Sequence, residues 1–195
     1  MTTALTRSSF LRRTAGAGGV ALGVGFLAAP ASGAPSEEDL AWVRFGVTVE
    51  FVIAEYYRQA RRTGFFSTDE RRTLERATAA ELAHLQRFRQ TLIDAKEAPI
   101  DAADLEVEFP EGAFTTRAST VSLGRRVTGL AVHAYLGAVT TVSDGAFRRV
   151  LGQVLASSAE QLAYLTGLAG PVITDPLPSV HGLGTAADEL ARYLP

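Results

Sequence analysis

The chain has 195 residues, no cysteine and a net charge of −2 at pH 7. That length fits one domain able to bury about 70 % of its unfolded surface, and the lack of cysteine excludes disulfides, Fe–S clusters, Cys-ligated zinc and a thiol nucleophile. Acidic and basic residues are interspersed, so there is no basic stripe to follow a phosphate backbone and nucleic acid is not an expected partner.

The first segment reads as an address. Arg7, Arg12 and Arg13 precede an uncharged stretch from Thr14 to Ser36 dominated by Gly and Ala, the layout of a signal peptide. Small residues at Ser32-Gly33-Ala34 predict cleavage near Ala34, so residues 1–34 form the leader and the product is expected to be secreted or held in the cell envelope. Thr6-Arg7-Ser8-Ser9-Phe10-Leu11-Arg12 is similar to a twin-arginine translocation signal, with Ser8 where the second Arg belongs. The apolar region is Gly-rich and short for a span, so membrane contact is expected only through an uncleaved signal.

Residues 35–170 carry four helical patterns. Ser36, followed by Glu37-Glu38-Asp39, predicts an N-cap and an acidic first turn. This helix is expected to run to about Thr63, with Gly64 as its C-cap. Val43, Val47, Glu50, Ala54 and Tyr57 share one face, while Arg44, Glu55, Arg58 and Arg62 lie off it, so Glu50 interrupts an apolar stripe. A capping box from Ser67 to Glu70 opens the second helix, expected to reach about Lys96. Its seam is Leu74, Ala77, Glu81, Leu85, Phe88 and Leu92, and in Glu81-Leu82-Ala83-His84 the Glu and the His point the same way. A lone buried carboxylate costs several kcal/mol or takes up a proton. The short link between these helices makes them antiparallel neighbours, and Glu50 then meets Glu81.

Helical periodicity is lost over residues 98–112, where Leu105, Val107 and Phe109 alternate with Glu106 and Glu108, predicting an extended crossover. A third helix starts between Thr115 and Ser119 and ends near Val142, with a seam at Val121, Thr128, Val132, Tyr135, Val139 and Val142. Ser143-Asp144 caps a fourth, running to about Ala169 before Gly170-Pro171, with Leu151, Val154, Leu155, Ser158, Leu162 and Leu165 inward. Residues 171–195 form a Pro- and Gly-rich tail with one short helix at about residues 185–193. The fold class is all-α: an up-down four-helix bundle with a long crossover between helices two and three and a short C-terminal helix.

Val49-Glu50-Phe51-Val52-Ile53-Ala54-Glu55-Tyr56-Tyr57 and Ala80-Glu81-Leu82-Ala83-His84, with Glu108-Phe109-Pro110-Glu111-Gly112-Ala113-Phe114 and Ala131-Val132-His133-Ala134-Tyr135-Leu136-Gly137-Ala138 further on, resemble helix one, helix two, the crossover and helix three of the secreted bacterial ferritin-like domain proteins. The resemblance spans residues 40–168 and implies a ferritin-like bundle. In the di-iron carboxylate bundles two helices carry a Glu and two carry Glu-x-x-His, all inward. It therefore implies Glu50, Glu81 and His84 as metal ligands. The other half departs from the pattern, since Thr128, Ser158 and Gln161 stand where a Glu, a Glu and a His are expected. Glu160 is no substitute, because it lies on the opposite side of its helix from Leu151, Val154 and Leu162.

Two carboxylates and one imidazole make a three-point site suited to one Fe, Mn or Zn ion. The same residues also fit a metal-free network in which Thr128, Ser158 and Gln161 hydrogen-bond Glu50, Glu81 and His84. Both readings stand on the sequence. His133 lies off the Thr128 face, and His181 has no ligand-spaced neighbour. Tyr57 and Tyr135 sit on seam positions, where core packing is the ordinary role. The expected function is a binding or structural module of the cell envelope with a degenerate di-iron site. The competing class is a metal-dependent oxidoreductase of the ferritin-like, rubrerythrin type, which ordinarily draws two electrons from two metals.

Overall fold

Three of the four long helices begin in a reciprocal cap written into four consecutive residues. In the computed structural model, which describes residues 35–170 and 178–195, the Ser36 side chain accepts from the Asp39 amide while Asp39 accepts from the Ser36 amide, opening α1 (Glu37–Ala60). Ser67 and Glu70 do the same for α2 (Thr68–Asp94), as do Thr116 and Ser119 for α3 (Arg117–Thr141). Asp144 caps α4 (Gly145–Leu168) by accepting from Phe147. Each cap satisfies amides that have no carbonyl partner in the first turn. Residues 1–34, where a leader is expected, and residues 171–177 at the start of the tail lie outside the described residues.

The helices pack in pairs, α1 on α2 and α3 on α4, with α1 against α3 and α2 against α4 closing a four-helix bundle. Among the described residues there is no strand, and no helix is long and apolar enough to cross a membrane. The buried side of α2 is the expected one, with Leu74, Glu81, Leu85, Phe88 and Leu92 inside. The α1 helix differs from its expected single stripe. Trp42, Phe45, Val49, Val52, Ile53 and Tyr56 are buried as well as Val43, Val47 and Tyr57, because α2, α3 and, more lightly, α5 (Leu183–Leu190) all pack on this helix.

Helix ends deviate for local reasons. The α1 helix stops at Ala60, three residues before the expected Thr63, because the chain tightens into i→i+3 bonds from Arg62 to Gln59 and from Thr63 to Ala60. Gly64 plays no capping part and has no positive φ. The α2 helix ends in a Schellman motif, with Lys96 donating to Ile93 and Glu97 to Leu92. Lys96 therefore takes φ 63, a left-handed conformation usually left to Gly. In the crossover Leu105 is buried while Glu106 and Glu108 are exposed, as their alternation requires. The Glu108 amide donates to the Tyr193 carbonyl at 2.9 Å, and the Phe109 ring meets Phe114 and Tyr193. Crossover and tail thus brace each other. The tail helix begins two residues earlier than expected, at Leu183, and finishes as a 3-10 turn over Ala191–Tyr193.

A second tie crosses the bundle at its other end. Asp39 is 1 % exposed and, besides its own cap, accepts from the Ser143 amide at 2.8 Å, the Ser143 hydroxyl at 2.6 Å and the Asp144 amide at 3.1 Å. It fastens the start of α1 to the turn between α3 and α4. Burial pushes its pKa up, but these donors outweigh burial and hold it below the usual carboxylate value.

Candidate metal centre

The middle of the bundle holds three titratable groups from two helices. The α1 helix carries Glu50 inward and α2 carries Glu81, which are 0 % and 1 % exposed. His84, one turn beyond Glu81, is partly buried. One ligand atom from each of the three lies within 4.8 Å of the other two. His84 Nδ1 is 3.2 Å from Glu50 Oε2 and 3.6 Å from Glu81 Oε2. The sequence expectation that Glu50, Glu81 and His84 converge is thus met.

The surrounding donors differ in part from those expected. The Tyr135 hydroxyl donates to Glu50 Oε1, and the Gln161 amide donates to Glu81 Oε1. Ser158 instead donates to the Val154 carbonyl within its own helix, at 3.0 Å. Thr128 lies beside the Tyr57 hydroxyl, yet neither oxygen completes a hydrogen bond. Of Thr128, Ser158 and Gln161, only Gln161 joins the network. Glu160 is exposed, which agrees with its rejection as a ligand. His133 and His181 are paired with each other elsewhere, their rings 4.9 Å apart.

What is left unsatisfied is specific. Glu81 Oε2, Gln161 Oε1, Thr128 Oγ1 and the Tyr57 hydroxyl are buried without hydrogen-bond partners. Each such atom ordinarily costs about 1–3 kcal/mol, more when the group is charged. Their grouping on the inner faces of four helices marks a place built for something besides packing.

Electrostatics agree with that reading. Burial, reinforced by the adjacent Glu81 charge, pushes the Glu50 pKa well above the usual carboxylate value. Burial pushes Glu81 up too, but the neighbouring Glu50 and His84 and the Gln161 amide together outweigh it and hold Glu81 low. Burial disfavours a charged His84, yet the hydrogen bond to Glu50 and the adjacent Glu81 carboxylate raise its pKa to about 10. Glu50 is thus driven toward its neutral form, while Glu81 and His84 are held toward their charged forms. A divalent cation would compete with protons for the same ligand atoms.

The donor set fits such an ion. Metal–ligand bonds of about 2.0–2.2 Å separate neighbouring ligand atoms by about 3.0–3.5 Å, close to the 3.2 and 3.6 Å from His84 Nδ1 to the two carboxylates. Two oxygens and one nitrogen suit Fe(II), Mn(II) or Zn(II). Tyr135 is the site residue that sequence reasoning placed without assigning. Its seam position, two helical turns from Thr128, predicts burial, but nothing in periodicity says that its hydroxyl bonds Glu50.

Comparison with protein families gives a match to the ferritin-like domain over residues 38–171. Comparisons with curated proteins and with solved structures give no match.

Proposed function

Because the chain belongs to the ferritin-like domain family, we propose that Glu50, Glu81 and His84 hold a single Fe(II), Mn(II) or Zn(II) ion, and that the domain acts outside the cytoplasm as a binding or structural module. The observation that carries the reading is Glu81 Oε2, buried without a hydrogen bond 3.6 Å from His84 Nδ1. Three protein ligands leave positions open for water or a small ligand. Thr128, Ser158 and Gln161 give no carboxylate or imidazole to a second ion, so the two-metal route to oxidase chemistry has no support in this chain. A bound ion would supply charge neutralisation and Lewis acidity. Tyr135 would keep Glu50 oriented, and Gln161 would do the same for Glu81.

A metal-free polar core is the second reading, and the bonds from Tyr135 to Glu50 and from Gln161 to Glu81 favour it. Elemental analysis of the purified protein, before and after chelation, decides between them. One transition metal per chain is expected. Two per chain would overturn the half-site, and none after growth with Fe, Mn and Zn would leave the polar core.

Export rests on the three arginines and the uncharged stretch of residues 1–34, together with the resemblance to secreted bacterial proteins. Fused to a reporter, residues 1–34 are expected to carry it out of the cytoplasm and to be removed near Ala34. A reporter retained in the cytoplasm would contradict this, and blocking the twin-arginine route tests the pathway itself.

A further inference from the structure

The tail docks on α3 at a point that the sequence prepares. A Cβ at Gly137 would stand 1.9 Å from the His181 carbonyl oxygen, so only Gly admits the tail there. The His181 amide then donates to the His133 carbonyl at 3.0 Å. Between α3 and the tail this docking leaves a cleft of about 350 Å³, whose charged and titratable lining is Arg125, Arg126, Arg192, His133, His181 and Glu189. Three guanidinium groups face one carboxylate in a chain whose net charge is −2. Glu189 is turned toward His181, 3.8 Å from its Nδ1. Arg125 Nε and His181 Nδ1 are buried without a hydrogen bond.

The floor of the cleft is also open. Of the three glycines in α3, Gly124 makes room for the Tyr56 ring and Gly137 for the tail, but a Cβ at Gly129 would meet nothing within 4 Å. Gly129 lines the cleft, and the helix carries it at a cost in propensity with no packing return. Leu130 and Tyr193 add apolar surface beside the cations. At about 100° per residue, Gly129 and His133 lie about 100–160° around α3 from Thr128 and Tyr135, with Arg125 about 60–80° from them, and the cleft shares no lining residue with the Glu50, Glu81 and His84 cluster.

We propose that this cleft binds a small organic dianion, a phosphate monoester in the simplest case, with its charge on Arg125 and Arg192 and its apolar part against Leu130 and Tyr193. Guanidinium forks match phosphate oxygens in pairs, and a phosphate monoester carries about −2 charge at neutral pH. A volume of about 350 Å³ suits a ligand of this size.

Calorimetric titration of the full chain with phenyl phosphate and with inorganic phosphate, at low salt and pH 7, tests the proposal. Phenyl phosphate is expected to bind at one site per chain and more tightly than inorganic phosphate. Arg125→Gln and Arg192→Gln should each weaken it by about tenfold, and Gly129→Phe should block it by filling the floor. Arg62→Gln, an exposed arginine outside the cleft, should leave it unchanged. Circular dichroism confirms that Gly129→Phe is folded, and the two arginine variants decide the matter if it is not. No saturation up to about 10 mM phenyl phosphate, or affinity that survives both arginine substitutions, would overturn the proposal. So would binding to phosphatidic acid vesicles without binding to phenyl phosphate, since the phosphate would then be read on a lipid surface.

Discussion

Asp39 and Glu81 are both 1 % exposed, yet they live in opposite surroundings. Asp39 accepts four hydrogen bonds, from the Ser36, Ser143 and Asp144 amides and the Ser143 hydroxyl, so that both of its oxygens have donors. Glu81 has a second carboxyl beside it, one hydrogen bond to Gln161, and one oxygen with no hydrogen bond. Burial of a carboxylate is therefore not by itself a functional signal. A matched carboxylate is a structural tie, and an unmatched pair keeps the cost of burying its charge.

The largest expected effect breaks the matched member. Asp39→Ala leaves the Ser143 and Asp144 donors facing a void, and urea unfolding should show a loss of about 3–4 kcal/mol. A loss under about 1 kcal/mol would mean that the Ser143 and Asp144 donors find other partners and the tie holds little. Next comes the unmatched pair. Changing both Glu50 and Glu81 to Gln should remove the stabilisation that a bound metal provides, about 2.7 kcal/mol at a hundredfold excess over Kd. Without metal, the same change relieves two neighbouring acids and should leave the melting temperature unchanged or raised.

A third test uses a carboxylate at the surface as the reference for both. Hydrogen bonds from Arg117 and the Ser67 amide lower the Glu70 pKa from 4.5 to about 2. A depressed pKa contributes stability that is complete above the unfolded value and is lost as pH falls through the folded value. Acid titration of stability should therefore be steeper between pH 4.5 and about 2 in the wild type than in Glu70→Gln. The ion pair is partly solvated, so the difference at pH 7 should be about 1 kcal/mol. Equal slopes would show that the Arg117 contact is not held in solution. The smallest effect belongs to Thr128→Val, which swaps an unpaired hydroxyl for a methyl of the same shape. Thermal melts should shift by about 0.5 kcal/mol or less toward stability in chelator. A clear loss there would mean that the hydroxyl has a partner in solution.

What could be read in the sequence was local. Ser36 with Asp39, Ser67 with Glu70 and the Asp144 cap each act within four residues, so helix starts follow from the chain itself. The stripe containing Glu50 and the Glu81-x-x-His84 spacing place three groups on facing helices for the same reason. What was missed depends on contacts between distant segments. Asp39 looked like one acid among three favouring the helix dipole, because its partners Ser143 and Asp144 lie more than a hundred residues away. The all-round burial of α1 was hidden because it depends on α2, α3 and the tail helix all closing on it. Tyr135 and Gln161 share this character. The seam position of Tyr135 was readable and the resemblance placed Gln161, while the choice of carboxylate oxygen each would meet depends on the closed bundle.

The central claim is that the unmatched pair and His84 hold one ion. The most direct measurement is the anomalous scattering of crystals grown with Mn(II). A single peak between Glu50, Glu81 and His84, with none beside Thr128, Ser158 and Gln161, is the result this account predicts. Two peaks across the centre of the bundle, or no peak at saturating Mn(II), would contradict it.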